Sequence, residues 1–293
     1  MQLYGVIPPV VTPMHDDESL DLPRLGALID RQLSAGVHGI FVLGTTGEFY
    51  AVDADEKRAI IAAAVAHVNR RVPVLAGTGG ITTRDAVRLT QMAEREGADA
   101  VSVITPFFIQ PTQQEMFDYF RQVAEATRLP VLLYTNPAMT GGVKLDVGTV
   151  ARLAEIPNVV GIKDSGGDLT TLIEYVRATP AEFAVFQGRD TLIEPALCYG
   201  AKGAVPGTAN IAPELAVAIY TAHQRGDAIG AREAQRRFSP VRLALSHTTA
   251  PGGIKVAMSL LGVSAGPNRG PIGLPTEAER EKIKAVLRRV IGS

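Results

Sequence analysis

Only one cysteine, Cys198, occurs in the 293 residues. A lone thiol excludes an internal disulfide framework and fits a reducing, cytoplasmic setting. No run of about 18 apolar residues is present, so no membrane span is expected. The start, MQLYGVIPPV, lacks the basic stretch and long apolar core of a secretory leader. Net charge is also missing. The chain has 29 basic and 30 acidic residues, for a balance of −1. The basic residues are scattered, which leaves no electrostatic footprint for nucleic acid. The histidines (His15, His38, His67, His223 and His247) form no i,i+4 pair and no H-E-x-x-H, so a metal site has no support. No flavin or nicotinamide fingerprint follows an apolar run, and low-complexity tracts and long linkers are absent. What remains is ordinary globular material, 46% hydrophobic and 20% charged. The length suits either two average domains or one α/β barrel.

What is present is a repeated unit. Short apolar, β-branched runs recur at 5–11, 38–44, 72–77, 99–105, 130–135, 159–163, 183–188 and 202–207. Most are separated by stretches of helical period. Leu22, Leu25, Ile29 and Leu33 share one face of the first such stretch. Asp53 precedes Glu56, and Thr112 precedes Glu115, each at capping-box spacing. Pro213 suits a first helical turn. Strands alternating with helices imply a parallel sheet, and strands apolar throughout imply burial on both faces. Eight units predict a (β/α)₈ barrel over 1–225, with an open doubly wound sheet as the alternative. Beyond 225 the strand signal stops. Residues 225–262 and 275–291 read as a helical C-terminal extension, 226–293, packed on the barrel.

Active sites of such barrels lie at the C-terminal ends of the strands. VVGIKDS (159–165) ends its strand in Lys163. Withdrawal from water disfavours the charged form of an amine, and a neutral amine attacks carbonyls to form a Schiff base. The plainer reading pairs Lys163 with Asp164, and both stay open on the residues alone. Tyr134 ends the strand in VLLYTNP, where its phenol could shuttle a proton or simply pack. GTTGE (44–48) offers two hydroxyls and successive N–H groups, a cradle for a carboxylate or an ordinary loop. GTGG (77–80) lacks phosphate-loop spacing and reads as a plain loop. Cys198, in IEPALCYG, reads as a small core residue.

Together GTTGEF, TPFFIQPT, LLYTNPAMTG, GIKDSGGD and GAVPGTAN resemble the superfamily of N-acetylneuraminate lyase and dihydrodipicolinate synthase, the pyruvate-dependent class I aldolases. The resemblance runs from VIPPVVTPM to GPNRGPI. It implies a TIM barrel with a helical C-terminal extension, a homotetramer built from two dimers, and no metal or organic cofactor. Lys163 matches the lysine that forms the Schiff base with pyruvate, and Tyr134 the catalytic tyrosine. Thr45 and Thr46 match the pair that binds the pyruvyl carboxylate and relays protons. Gly188 and Val205 match positions whose backbone lies near pyruvate.

The departures bear on the second substrate, an aldehyde. Met139 stands where dihydrodipicolinate synthases carry an arginine for the distal carboxylate, and a thioether offers no fork of donors. Phe108 replaces the second tyrosine of TPYY, which reaches the neighbouring subunit's site. Asp190 matches an acidic residue that meets a sugar hydroxyl in the lyases, yet Thr191 and Gly207 stand where those have glutamate and serine. DSGGD (164–168) is also similar to 4-hydroxy-2-oxoglutarate aldolases. The expectation is therefore a carbon–carbon lyase acting on a 2-keto-3-deoxy sugar acid or related 2-oxo-4-hydroxy acid. Three alternatives remain: a dihydrodipicolinate synthase, a keto-deoxy sugar acid dehydratase, and a non-catalytic regulator on the same barrel.

Overall fold

The computed structural model describes residues 2–292. Eight parallel strands follow one another around a single sheet: β1 Gly5–Val6, β2 Ile40–Val42, β3 Val74–Gly77, β4 Ala100–Ile104, β5 Val131–Thr135, β6 Val159–Asp164, β7 Ala184–Gln187 and β8 Gly203–Ala204. Every neighbouring pair from β2 round to β8 and on to β1 is hydrogen-bonded in parallel. The remaining seam, β1 to β2, is closed by isolated bonds: His38 N–H to Val6 O, Phe41 N–H to Pro8 O and Val10 N–H to Phe41 O. That closure excludes the open doubly wound sheet. β1 is short because Pro8 and Pro9 have no N–H to give a ladder.

Eleven α-helices follow in chain order: α1 Leu22–Ser34, α2 Ala54–Val68, α3 Thr83–Arg95, α4 Gln113–Glu125, α5 Val147–Leu153, α6 Leu169–Ala178, α7 Ile193–Cys198, α8 Pro213–Gln224, α9 Ala228–Ala244, α10 Gly252–Leu260 and α11 Glu277–Ile291. The expected caps form. Asp53 and Glu56, like Thr112 and Glu115, exchange reciprocal side-chain to backbone bonds at the starts of α2 and α4. Each box satisfies two N–H groups that the helix itself leaves without partners. Pro213 opens α8. In α1, Leu25 and Ile29 are buried as the periodicity requires.

The barrel interior is a separate apolar cluster of Leu3, Ile7, Phe41, Leu75, Ala100, Leu132, Ala184, Phe186 and Val205. A larger cluster lies between the sheet and the helices. It takes in Val241, Ile254, Ile283 and Leu287, so the helices after 225 share the core instead of standing apart. The stretch 225–262 is largely helical as expected, in α9 and α10, with 245–251 outside the helices. One expectation needs correction. Cys198 is exposed, not core. It ends α7 one position past buried Ala196 and Leu197, so it points away from their face.

The extension is locked to the barrel by a buried ion pair. Lys255 Nζ, on α10, lies 2.7 Å from Glu48 Oε1, with side chains 1% and 0% exposed. Lys255 also donates to Pro267 O at 2.6 Å, and Arg269 N–H to Glu48 Oε2 at 3.1 Å. Removing one member of such a pair strands a charge in the interior. Lys255→Met is expected to lower the unfolding free energy by roughly 3–5 kcal/mol in urea titrations. Adding Glu48→Gln, which removes the stranded charge and keeps an acceptor for Arg269, should restore much of the loss. Equal stability of Lys255→Met and the parent would show that the pair contributes nothing.

Candidate active site

Strand register brings the chemistry together. Tyr134 pairs with Lys163 across β5 and β6, and Lys163 with Phe186 across β6 and β7. Side chains alternate along a strand, so Tyr134 and Lys163 continue the inward face begun by Leu132 and Gly161, one layer above the apolar interior. Lys163 is only 4% exposed. Its Nζ lies 4.0 Å from the centroid of the Tyr134 ring and 5.4 Å from that of Phe41. Aromatic faces attract a cation without neutralising it. No carboxylate oxygen lies within ion-pair distance of Nζ among the described residues. Asp164 is not its partner, because alternation points it to the other face, where it accepts from Gly166 N–H at 2.8 Å. The pairing alternative is thereby removed.

Tyr134 is fully enclosed at the bottom of the pocket. Its hydroxyl lies 3.2 Å from Thr45 Oγ1 and accepts from Asn136 Nδ2 at 2.9 Å. Burial pushes this phenol up. The charge of Lys163 and hydrogen bonds with Thr45, Asn136 and Ser165 outweigh that and bring it below the usual phenol value. A phenol eased in this way beside an amine is suited to passing a proton.

The turn after β2 is held in an uncommon shape. Leu43 and Glu48 both have positive φ, +59° and +55°. Such conformations persist when their surroundings over-determine them. Here the ion pair with Lys255 and the bond from Arg269 N–H fix the Glu48 side chain. Within the turn, Gly47 and Phe49 N–H donate to Gly44 O, and Glu48 N–H to Thr45 O. The N–H groups of Thr45 and Thr46 take no backbone acceptor among the described residues. Both residues line the pocket.

A cavity of about 390 Å³ opens above these groups. Thr45, Thr46, Tyr134, Met139, Lys163, Gly188, Asp190 and Val205 all line it. Gly188 has to be glycine, since a Cβ there would stand 2.1 Å from Ser165 Oγ and 2.8 Å from Asp164 O. Asp190 is buried and accepts from Thr208 N–H at 2.8 Å. Burial pushes its carboxyl above the ordinary range, against the opposing pull of Thr208 and of the charges on Arg242 and Lys163. Phe108 and Thr191 are not in the lining. Phe108 is instead 91% exposed, at φ +74°. The GTGG loop packs as plain structure: a Cβ on Gly77 would meet Leu43 O, and one on Gly79 would meet Ile104.

The pocket also holds residues that the sequence reading passed over. Asn136 stands two residues after Tyr134 and Ser165 two after Lys163, and closeness in sequence was the available signal. Arg189 lies between Gly188 and Asp190. Arg242 and Ile254 come from α9 and α10, and Leu245 and Thr248 from the segment between them, in no motif.

The profile of the dihydrodipicolinate synthetase family matches residues 2–290. The chain belongs to that family. Its members are pyruvate-dependent class I aldolases, which makes this protein a carbon–carbon lyase. It is 39% identical to a 4-hydroxy-tetrahydrodipicolinate synthase of Methanopyrus kandleri, over 98% of this chain and 95% of that one. It is 40% identical to a DapA-like lyase of Halobacterium salinarum, over 97% and 93%. Among solved structures, dihydrodipicolinate synthase DapA-2 of Bacillus anthracis superposes with a TM-score of 0.95 at 34% identity, covering 98% of each chain. YagE of E. coli K12, solved in complex with pyruvate, gives 0.94 at 34%, covering 99% of each.

Tyr134→Phe deletes the oxygen shared by Thr45 and Asn136 with little change of shape. Turnover is expected to fall about 10²–10⁴-fold with an unchanged circular dichroism spectrum. An unaltered rate would leave Tyr134 a packing residue.

Proposed function

We propose that the protein joins pyruvate to an aldehyde, or reverses that reaction, through a Schiff base on Lys163. The Lys163 amine adds to the pyruvate ketone, and water leaves to give an iminium. Loss of a C3 proton makes an enamine, whose carbon bonds to the aldehyde carbon. The new alkoxide takes a proton through Tyr134 and Thr45, with Thr46 beside them, and water then hydrolyses the iminium to free Lys163. The carboxylate of pyruvate sits on the Thr45–Thr46 turn, and the backbone at Gly188 and Val205 borders it. No organic cofactor or metal enters this sequence, since the iminium itself is the electron sink.

One observation carries the reading: a 4%-exposed lysine without a carboxylate partner, in register with a tyrosine whose hydroxyl meets Thr45. An amine placed to stay paired would have Asp164 on its own face. The aldehyde is a hydroxylated one, so that the cleavage substrate is a 2-keto-3-deoxy acid. Met139, 55% exposed on the pocket rim, supplies no guanidinium there. The relatives named 4-hydroxy-tetrahydrodipicolinate synthase favour a second reading, in which the aldehyde is aspartate semialdehyde. We also infer a tetramer of two tight dimers in the cytoplasm. The exposure of Phe108 outside the lining of its own pocket supports that reading.

Borohydride reduction in the presence of pyruvate is expected to add one pyruvyl group per chain, on Lys163 alone of the seven lysines. Lys163→Ala should abolish both the adduct and turnover. An adduct elsewhere, or full activity in the variant, overturns the mechanism. Pyruvate release from a panel of 2-keto-3-deoxy acids separates a lyase from a dehydratase, which releases none. A higher kcat/KM for aspartate semialdehyde than for glyceraldehyde selects the second reading.

A further inference from the structure

We propose that His38 is an acid-sensitive clasp: its neutral imidazole closes the seam between β1 and β2, and protonation releases it.

β1 has little backbone to hold it on one side. Toward β8 it is laddered, with Gly5 N–H donating to Lys202 O and Ile7 N–H to Ala204 O, each at 2.9 Å. Toward β2 the alternate positions have to serve, and one of them, Pro8, has no N–H. Val6 remains, and its N–H donates to a side chain, His38 Nδ1, at 3.2 Å. The His38 backbone N–H returns a bond to Val6 O at 2.8 Å. This reciprocal pair joins residues 32 positions apart at the one seam that lacks a ladder.

The surroundings are shaped to seat the ring. Gly5 has φ +79°, and a Cβ there would stand 2.3 Å from His38 Cγ. Only a glycine lets the imidazole lie against the strand at this point. Tyr4 and Tyr220 meet the ring edge-to-face, with centroids 5.5 and 4.8 Å away. Tyr4 comes from the residue before β1 and Tyr220 from α8.

The bond from Val6 fixes the protonation state. Nδ1 accepts only when bare, so the ring is neutral and carries its proton on Nε2. In the imidazolium both nitrogens are donors, and Nδ1–H would oppose Val6 N–H. The bond is then lost, and a strand N–H is left without an acceptor. No carboxylate oxygen lies within 4.0 Å of the His38 ring nitrogens among the described residues, so nothing there rewards the charge. The titratable groups that face the ring are the phenols of Tyr4 and Tyr220. Aromatic faces attract a cation, but they give Val6 no acceptor. On the adjoining elements, Lys202 precedes β8, His223 lies one turn beyond Tyr220 on α8, and Arg31 of α1 is engaged by Asn210 O and Ile211 O.

Burial pushes the His38 imidazole below its ordinary range. Between the folded and unfolded values the unfolded chain holds more protons, so stability rises with pH there. The clasp is closed above about pH 6.5 and is lost as pH falls from there through the folded-state value. Its effect extends beyond the foot of the barrel. From β1 the chain runs on to Thr12, whose hydroxyl donates to Gly47 O at 2.6 Å in the threonine turn.

The test uses the full chain and begins with nitrogen-15 NMR of its histidines. His38 is expected to show a bare Nδ1 and a protonated Nε2 at pH 8, and to titrate below about 6.5. An Nδ1–H tautomer, or titration at or above that value, overturns the proposal without any variant. Amide exchange supplies the second reading. After correction for intrinsic rates, protection of Val6 N–H is expected to fall about 10-fold or more between pH 7.5 and 5.5, as a shift of one pKa unit implies. Gly5 and Ile7, bonded to β8, should keep theirs. Equal loss at all three amides would show general unfolding and refute a clasp at this seam. Thermal unfolding supplies the third. His38→Asn keeps an acceptor near the Nδ1 position and does not titrate, whereas His38→Phe keeps a ring and removes the acceptor. On going from pH 8 to pH 5, the wild type is expected to lose at least about 2 °C more in Tm than His38→Phe. His38→Asn should likewise lose less than the wild type. Identical pH dependence of the wild type and His38→Phe overturns the proposal.

Discussion

The buried pair of Lys255 and Glu48 is the contact on which the site depends. Glu48 closes the GTTGE turn with a positive φ that a side chain of its size resists. Its carboxylate is held by a lysine from the C-terminal helices and by the Arg269 backbone. Burial pushes the Lys255 amine down, and the neighbouring Glu48 only partly restores it. The pair is thus a poor source of net stability, as expected where desolvation rivals attraction. It serves geometry instead. With Glu48 fixed, Thr45 and Thr46 are fixed three and two residues away, and Thr45 meets the Tyr134 hydroxyl.

The helical extension therefore belongs to the site as much as to the surface. Gln235, on α9, donates to Asp190 O at 2.9 Å and accepts from Glu194 N–H at 3.0 Å, which anchors the loop after β7. Residues 245–250 then wall the cavity that the barrel leaves open. On the opposite side, Arg31 donates to Asn210 O and Ile211 O, each at 2.7 Å, and Gln32 to Ala209 O at 3.0 Å. The loops after β7 and β8 are each tied to a helix that is not their own neighbour in sequence. A rigid rim of this kind is what pre-organised chemistry requires, because small displacements of reacting groups cost large factors in rate.

Much of the architecture was legible in the residues. Eight apolar runs at regular spacing became eight strands, and the capping pairs at Asp53 and Thr112 became helix starts, because both signals are local. Lys163 and Tyr134 could be named as strand-end residues. Local signals failed where neighbours in sequence face different ways. Cys198 reads as apolar company for Ala196 and Leu197, but helical geometry turns it outward. Residues 225–262 read as helical, and no local signal marks the segment between α9 and α10 as part of the pocket wall.

By itself the sequence determined the parallel barrel and the helices that follow it, and it singled out Lys163, Tyr134 and the Thr45–Thr46 turn as candidates at strand ends. Those properties follow from periodicity and from motifs a few residues long. Only the tertiary structure decided the partners. It set Lys163 against Tyr134 instead of Asp164, because strand register and side-chain alternation act between β5 and β6, 29 positions apart. It set Lys255 on Glu48 and carried Arg242 into the cavity beside Arg189, because α9 and α10 fold back over the strand ends. Spacing along a chain carries no record of contacts made across more than 200 residues; packing around a common core creates them.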